Sequence, residues 1–123
     1  MIIEELNGLV SYVAQKTHLK CSLGNKDLGT DDYPHVQFIP VGSIGIGTNQ
    51  PTKNRFILSL TVKIIASKGN ERDVMTAFER VTETINMFHE YKGHFLSTDG
   101  GEAEYTDNTY SITVQYTLKF ISK

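Results

Sequence analysis

Asn54-Arg55-Phe56-Ile57-Leu58-Ser59-Leu60-Thr61-Val62-Lys63-Ile64-Ile65-Ala66 opens the stretch, reaching to Phe88, that decides the fold. Phe56, Leu58, Leu60, Val62, Ile64 and Ala66 alternate with Arg55, Ser59, Thr61 and Lys63, which are joined by Ile57 and Ile65. Side chains alternate across a strand with period two, so this is a long strand with one face on a core and one mostly wet. After Ser67-Lys68-Gly69 the apolar residues become Val74, Phe78, Val81, Ile85 and Phe88. That three-and-four spacing makes a single stripe along a helix. Asn70 is the expected N-cap, with Asp73 at the third helical position in an arrangement like a capping box. Lys92 falls in the last turn, near Tyr91, and Gly93 suits a left-handed cap.

The chain before this unit supplies another helix and a few short extended pieces. Ile2, Leu6, Leu9 and Val13, widened by Ile3, Val10 and Ala14, form an apolar stripe. Glu4 and Glu5 sit in its first turn and Lys16 and His18 near its last, which suits the helix dipole. Lys20–Leu23 reads as a short strand, and Gly24–Pro34 as a polar connection. Val36 and Phe38 alternate with His35 and Gln37, between Pro34 and Pro40. Proline cannot donate to a sheet ladder, so an edge strand is expected there.

Val41–Lys53 is rich in glycine, with Ile44 and Ile46 between Gly42, Gly45 and Gly47. Its Gly-Ser-Ile-Gly-Ile-Gly run does not read as a phosphate loop, because it leads into a strand and not into a helix N-terminus. A loose hairpin arm between two antiparallel strands is expected instead. Two isoleucines on such an arm are poorly covered in a monomer.

Toward the other end, Phe95 and Leu96 begin a short strand and Ser97–Ala103 reads as a turn. Asp107-Asn108 marks a second turn, across which Tyr105 and Tyr110 are expected to pack. Tyr110, Ile112, Val114, Tyr116, Leu118 and Phe120 then alternate with Ser111, Thr113, Gln115, Thr117, Lys119 and Ile121. This final strand matches the Asn54–Ala66 strand in pattern, so the two are expected to lie antiparallel in one sheet. The predicted fold is a single α+β domain over 1–123, an antiparallel sheet with two helices on one face and a long hairpin arm. Thr61, Lys63, Thr113, Gln115, Thr117 and Lys119 line the face left bare.

Composition narrows the function classes. A chain of 123 residues is sized for one domain and buries roughly two thirds of its unfolded surface. Twelve basic and 14 acidic residues give a formal charge of −2, with no basic footprint for nucleic acid. The single Cys21 forms no internal bridge, and Glu4 and Glu5 stand where a secretory signal would be basic. No apolar run approaches the roughly 18 residues of a membrane span.

Nor does a catalytic constellation emerge. His89 and His94 are five apart at a predicted helix end and cannot share a helical face as metal ligands do; His18 and His35 stand alone. Glu4-Glu5 and Asp31-Asp32 read as solvated pairs, and Ser43, Ser59 and Cys21 have no motif around them. No catalytic, metal or cofactor site is expected. A bare sheet face carrying Ile57, Ile65 and Ile121 among threonines and lysines points instead to protein–protein association.

The order of elements resembles a known family. The N-terminal amphipathic helix leads through Asp32-Tyr33-Pro34-His35-Val36-Gln37-Phe38 and the arm to Arg55-Phe56-Ile57-Leu58-Ser59-Leu60. The helix around Ala77-Phe78-Glu79-Arg80-Val81 and the closing Tyr110–Phe120 strand follow. Over nearly the whole chain this resembles the tail terminator, or tail completion, proteins of long-tailed bacteriophages, the group that includes the minor tail protein U type. The resemblance implies a non-enzymatic virion subunit that forms a homo-oligomeric ring, usually of six copies. Such a ring caps the tail tube, ends its polymerisation and offers a surface for joining the head. Implied partners are further copies of the chain, the tail tube protein and the head completion or connector protein. DNA would pass through the lumen without sequence-specific binding. The implied location is the head-proximal end of the virion tail, after assembly in the host cytoplasm. Ile44, Ile46, Lys53 and Arg55 on or beside the arm, and Lys63 and Lys119 on the bare face, are the candidate contact residues. Two other readings stay open: a head–tail joining or tail tube subunit, and a small-molecule-binding domain or enzyme.

Overall fold

The computed structural model describes residues 2–24, 34–50, 53–92, 95–106 and 108–122. In chain order the elements are α1 (Ile2–Thr17), β1 (Lys20–Leu23), β2 (His35–Gln50), β3 (Lys53–Ser67), α2 (Glu71–Lys92), β4 (Phe95–Thr106) and β5 (Thr109–Ser122). Asp31, Asp32, Gly93, His94 and Asp107, each given a role above, lie outside the described residues. The five strands form one sheet in the order β1-β2-β3-β5-β4. The α+β class with two helices is the one expected. The sheet is mixed, however, because β1 runs parallel to β2 while the other three pairs are antiparallel.

The two strands with the strongest alternation are neighbours at the centre, paired without interruption from Asn54↔Ser122 to Ser67↔Thr109. Leu58, Leu60, Val62, Ile64 and Ala66 of β3 and Tyr110, Ile112, Val114 and Tyr116 of β5 are buried on one face. Val36 and Phe38 extend that face onto β2. The helices close it. Leu6, Leu9 and Val13 from α1, and Val74, Ala77, Val81, Ile85 and Phe88 from α2, share one apolar core with the strands. Tyr12 of α1 meets Phe88 of α2 with ring centroids 5.3 Å apart, so the helices also pack on each other. Phe78, expected in the same stripe, is half-buried at the edge of the core.

Two expected breaks in the sheet are bulges instead. β2 does not stop at Pro40 but continues to Gln50, so the expected hairpin arm is present as strand, with Ile44–Gly47 and Gln50 paired to β3. Between Pro40↔Leu60 and Ile44↔Leu58, β2 advances four residues while β3 advances two. Two extra residues are an even number, so the alternation of faces survives the irregularity. Glycine and proline punctuate this segment strongly enough to hide a strand that its partner imposes. Pro40 also does not mark an edge shared by the whole strand. His35–Phe38 lie between β1 and β3, and only past Leu23 does β2 lose its second neighbour among the described residues.

The second bulge lies in β4, where Ser97–Ala103 had the composition of a turn. Here β4 advances from Thr98 to Gly101 while β5 moves only from Tyr116 to Val114. One extra residue reverses the alternation, so Gly101, Ala103 and Tyr105 take the core-side register while Glu102 and Glu104 take the other. Gly100 adopts φ 104°, open to glycine without strain. Thr98 Oγ1 accepts the Gly100 N–H at 3.2 Å and donates to the Gln115 carbonyl at 2.9 Å, which fixes the bulge. Beyond it, the Tyr105 and Tyr110 rings pack across the hairpin at 4.9 Å, as expected.

The start of α2 differs in detail from the expected capping box. Val74 N–H reaches the Asn70 carbonyl at 3.1 Å, which makes Asn70 the cap residue. The Asn70 carboxamide, however, donates to the Ser67 carbonyl at 3.3 Å, and the Glu71 carboxylate accepts the Gly69 N–H at 3.2 Å. Glu71 also accepts the Tyr105 hydroxyl at 3.2 Å. Its pKa is held below the usual 4.5, first by its own backbone N–H, which outweighs the opposing desolvation, and further by the Gly69 N–H, the Tyr105 hydroxyl and the Lys68 charge. A lowered folded-state pKa stabilises the protein above the unfolded value, and the effect is lost as pH falls through the lower folded value. Below pH 5, Glu71→Gln is therefore expected to flatten the fall of the urea midpoint with decreasing pH. An unchanged slope would show that Glu71 does not couple folding to protons.

Candidate functional site

The face of the sheet away from the helices is built from odd-numbered positions of β3 and β5 and from the residues that register with them. One transverse row runs Lys20, His35, Ile65, Ser111, Glu104 from β1 to β4. The next runs Ser22, Gln37, Lys63, Thr113, Glu102. A third holds Ile39, Thr61 and Gln115, and further along come Ser59 with Thr117 and Ile57 with Lys119.

This face was expected to be mostly wet, and it is only partly so. His35, Gln37 and Ser111 are buried on it, at 4%, 4% and 2% exposure. Thr61, Lys63, Ile65, Thr113 and Thr117 are half-buried, whereas Gln115 is exposed. Ile57 is 37% exposed, one of few large apolar side chains left open to solvent among the described residues. β-branched and amide side chains standing upright on a pleat shield one another, which explains the partial burial without a covering layer. Lys63 lies at the centre of the face, half-buried, between Gln37 and Thr113 in its row.

Ser22 Oγ and His35 Nε2 lie 2.9 Å apart, the separation of a nucleophile and its base. A buried imidazole needs hydrogen-bonding partners, and that requirement accounts for the contact with no appeal to chemistry. Cys21 faces the core beside them. Burial pushes its thiol up to about 12, so at neutral pH it is protonated and not a nucleophile. Burial likewise pushes the Tyr116 hydroxyl up to about 12. Among the described residues, no three His, Cys, Asp or Glu side chains gather where a metal ion would bind. None of the described helices is long and apolar enough to cross a membrane. The β4 bulge opens a shallow depression of about 300 Å³ lined by Gly100, Gly101, Glu102, Thr113 and Gln115. It is open and polar, unlike the concave apolar cavities that hold small molecules.

The contact residues named from sequence are spread over β2, β3 and β5. Ile44 registers with Leu58 and Ile46 with Phe56. Lys63 belongs to the bare face, as does the register position of Lys119 opposite Ile57. Arg55 registers with Gly47 and Ile121, and Lys53 with Gln50 at the tip of the hairpin. The six do not form one cluster. Sequence reasoning missed Glu102 and Glu104, both exposed, whose place on the bare face depends on the bulge. The Gly100-Gly101 pair was the available signal, since glycine inside a strand often marks a bulge. In comparison with known proteins, the sequence matches no protein-family model and no curated protein.

Proposed function

We propose that the protein is a virion subunit of the tail terminator kind, which closes into a ring on the end of a phage tail tube. The observation that carries this reading is that, among the described residues, the sheet has helices on one face only. Its other face is broad, polar and dotted with partly exposed isoleucines. A domain of this form buries its core by itself and still keeps a sheet face and two sheet edges for neighbours. The resemblance in element order adds the assembly and its partners: further copies, the tube protein below and the head connector above.

The mechanism is steric. The ring seats on the last tube layer through one rim and leaves no site for the next tube subunit. Its other rim joins the head. The β2–β3 hairpin and the face around Lys63 and Lys119 are the surfaces assigned to these contacts. The test is tube growth in vitro, with purified tube protein and initiator, followed by electron microscopy. With the protein present, tubes should stop at a uniform length and carry a ring at one end. Unchanged growth with bare tube ends would overturn the proposal, and unlimited polymers of the protein itself would favour the tube-subunit reading.

A further inference from the structure

We infer that neighbouring copies join edge to edge, with β4 of one subunit pairing antiparallel with β1 of the next and Glu104 set against Lys20. This deepens the ring reading above and rests on it. β1, β2 and β5 run in one direction and β3 and β4 in the other. Copies laid side by side in one orientation, as a ring demands, therefore bring β4 alongside β1 with opposite polarity. That is the pairing of greater stability per residue. Among the described residues, β1 and β4 are the outermost strands, and each has a neighbour on one side only.

Charge selects this pairing over the alternatives. The β4 edge exposes Glu102 and Glu104, and the β1 edge exposes Lys20, with Lys16 and His18 just before it in the chain. Joining β4 to β4, or β1 to β1, would give a two-fold dimer with like charges facing each other. Head-to-tail contact brings opposite charges together and leaves the chain of subunits free to close. The register agrees. Lys20 and Glu104 end the same transverse row on the same face, so a continuous sheet prolongs that row from one copy to the next. Antiparallel pairing of Glu104 with Lys20 then sets Glu102 against Ser22 and Ala103 against Cys21. Charges and a bulge on an edge strand deter indiscriminate pairing. An edge of opposite charge is what that guard admits.

The test is disulfide capture of Lys20→Cys/Glu104→Cys in a Cys21→Ala background. Within one subunit these positions are four strand spacings apart, about 19 Å. A disulfide spans no more than about 7 Å between Cα atoms, so any bond is intermolecular. Mild oxidation should give a ladder of linked multimers ending at a closed species, while each single-cysteine variant stops at a dimer. A double variant that yields no more multimer than a Met75→Cys/Glu83→Cys control on α2 would overturn the inference. Charge reversal gives a second reading. Lys20→Glu and Glu104→Lys should each weaken self-association at least tenfold in light scattering, and mixing the two should restore it. No recovery on mixing would also overturn it. Tube capping without capture would reject the edge pairing and spare the terminator function; capture without capping would do the reverse.

Discussion

Phe38→Ala is expected to destabilise the protein by about 3–5 kcal/mol, the largest effect of any single truncation proposed for this fold. Phe38 is 0% exposed and stands in the middle row of the core, Leu23, Phe38, Val62, Val114, between the two outer strands. Removing its ring takes a large apolar surface out of contact and leaves a cavity that the sheet on one side and the helices on the other are too rigid to fill. A domain of this size has only about 5–15 kcal/mol in total, so the variant should be close to unfolding at room temperature. Met75→Ala is the control: Met75 is 51% exposed on α2, and its truncation should change stability by less than about 0.5 kcal/mol. Urea unfolding followed by circular dichroism measures both. Equal midpoints for the two variants would show that Phe38 is not at the centre of the core.

Gly101→Val should cost about 1–3 kcal/mol, and for an opposite reason. A Cβ at this position would lie 3.1 Å from Phe78 Cε1 and 3.3 Å from both Phe78 Cζ and Ile112 Cγ2. Valine is otherwise favoured in strands, and replacing glycine ordinarily stabilises by reducing the freedom of the unfolded chain. A destabilised variant therefore reports the close approach of β4 to α2 and not an intrinsic preference. Phe78→Leu in the same chain should relieve part of the loss, so the pair should be less destabilised than the sum of the single changes. Strictly additive effects would mean that the bulge does not hold Gly101 against Phe78.

The parts of the fold that were legible in the sequence are those where one periodicity runs long enough to outvote its surroundings. The alternation in β3 and β5 and the stripes in α1 and α2 each span several repeats, and each names its buried residues almost completely. Ala77 and Thr84 also turned out buried, because small and polar side chains carry little signal in an apolar stripe. What stayed hidden was decided by partners far off in the chain. The second half of β2 is strand because β3 offers it a ladder, despite Gly42, Gly45 and Gly47. The Thr98–Gly101 segment is strand because β5 passes beside it, despite two glycines that suit a turn. The candidate surface was half legible. Its central strand could be read directly, but the acidic edge required knowing that a single inserted residue turns Glu102 and Glu104 to the bare face.

The order of strands also sets a hazard for the chain while it is being made. β5, the last of the five strands in the chain, is an inner strand, inserted between β3 and β4. Thr109, where β5 begins, comes 42 residues after Ser67, where β3 ends. At ribosomal speeds of roughly 5–20 residues per second, the β2–β3 hairpin emerges about 2–8 s before the strand that will seal its open side. During that interval β3 presents an alternating apolar edge with nothing beside it, and two nascent chains on one message carry identical edges. α2 is complete before β5 and shares a core with β3, so it is the one cover for the hairpin's apolar face that the chain itself supplies in that interval.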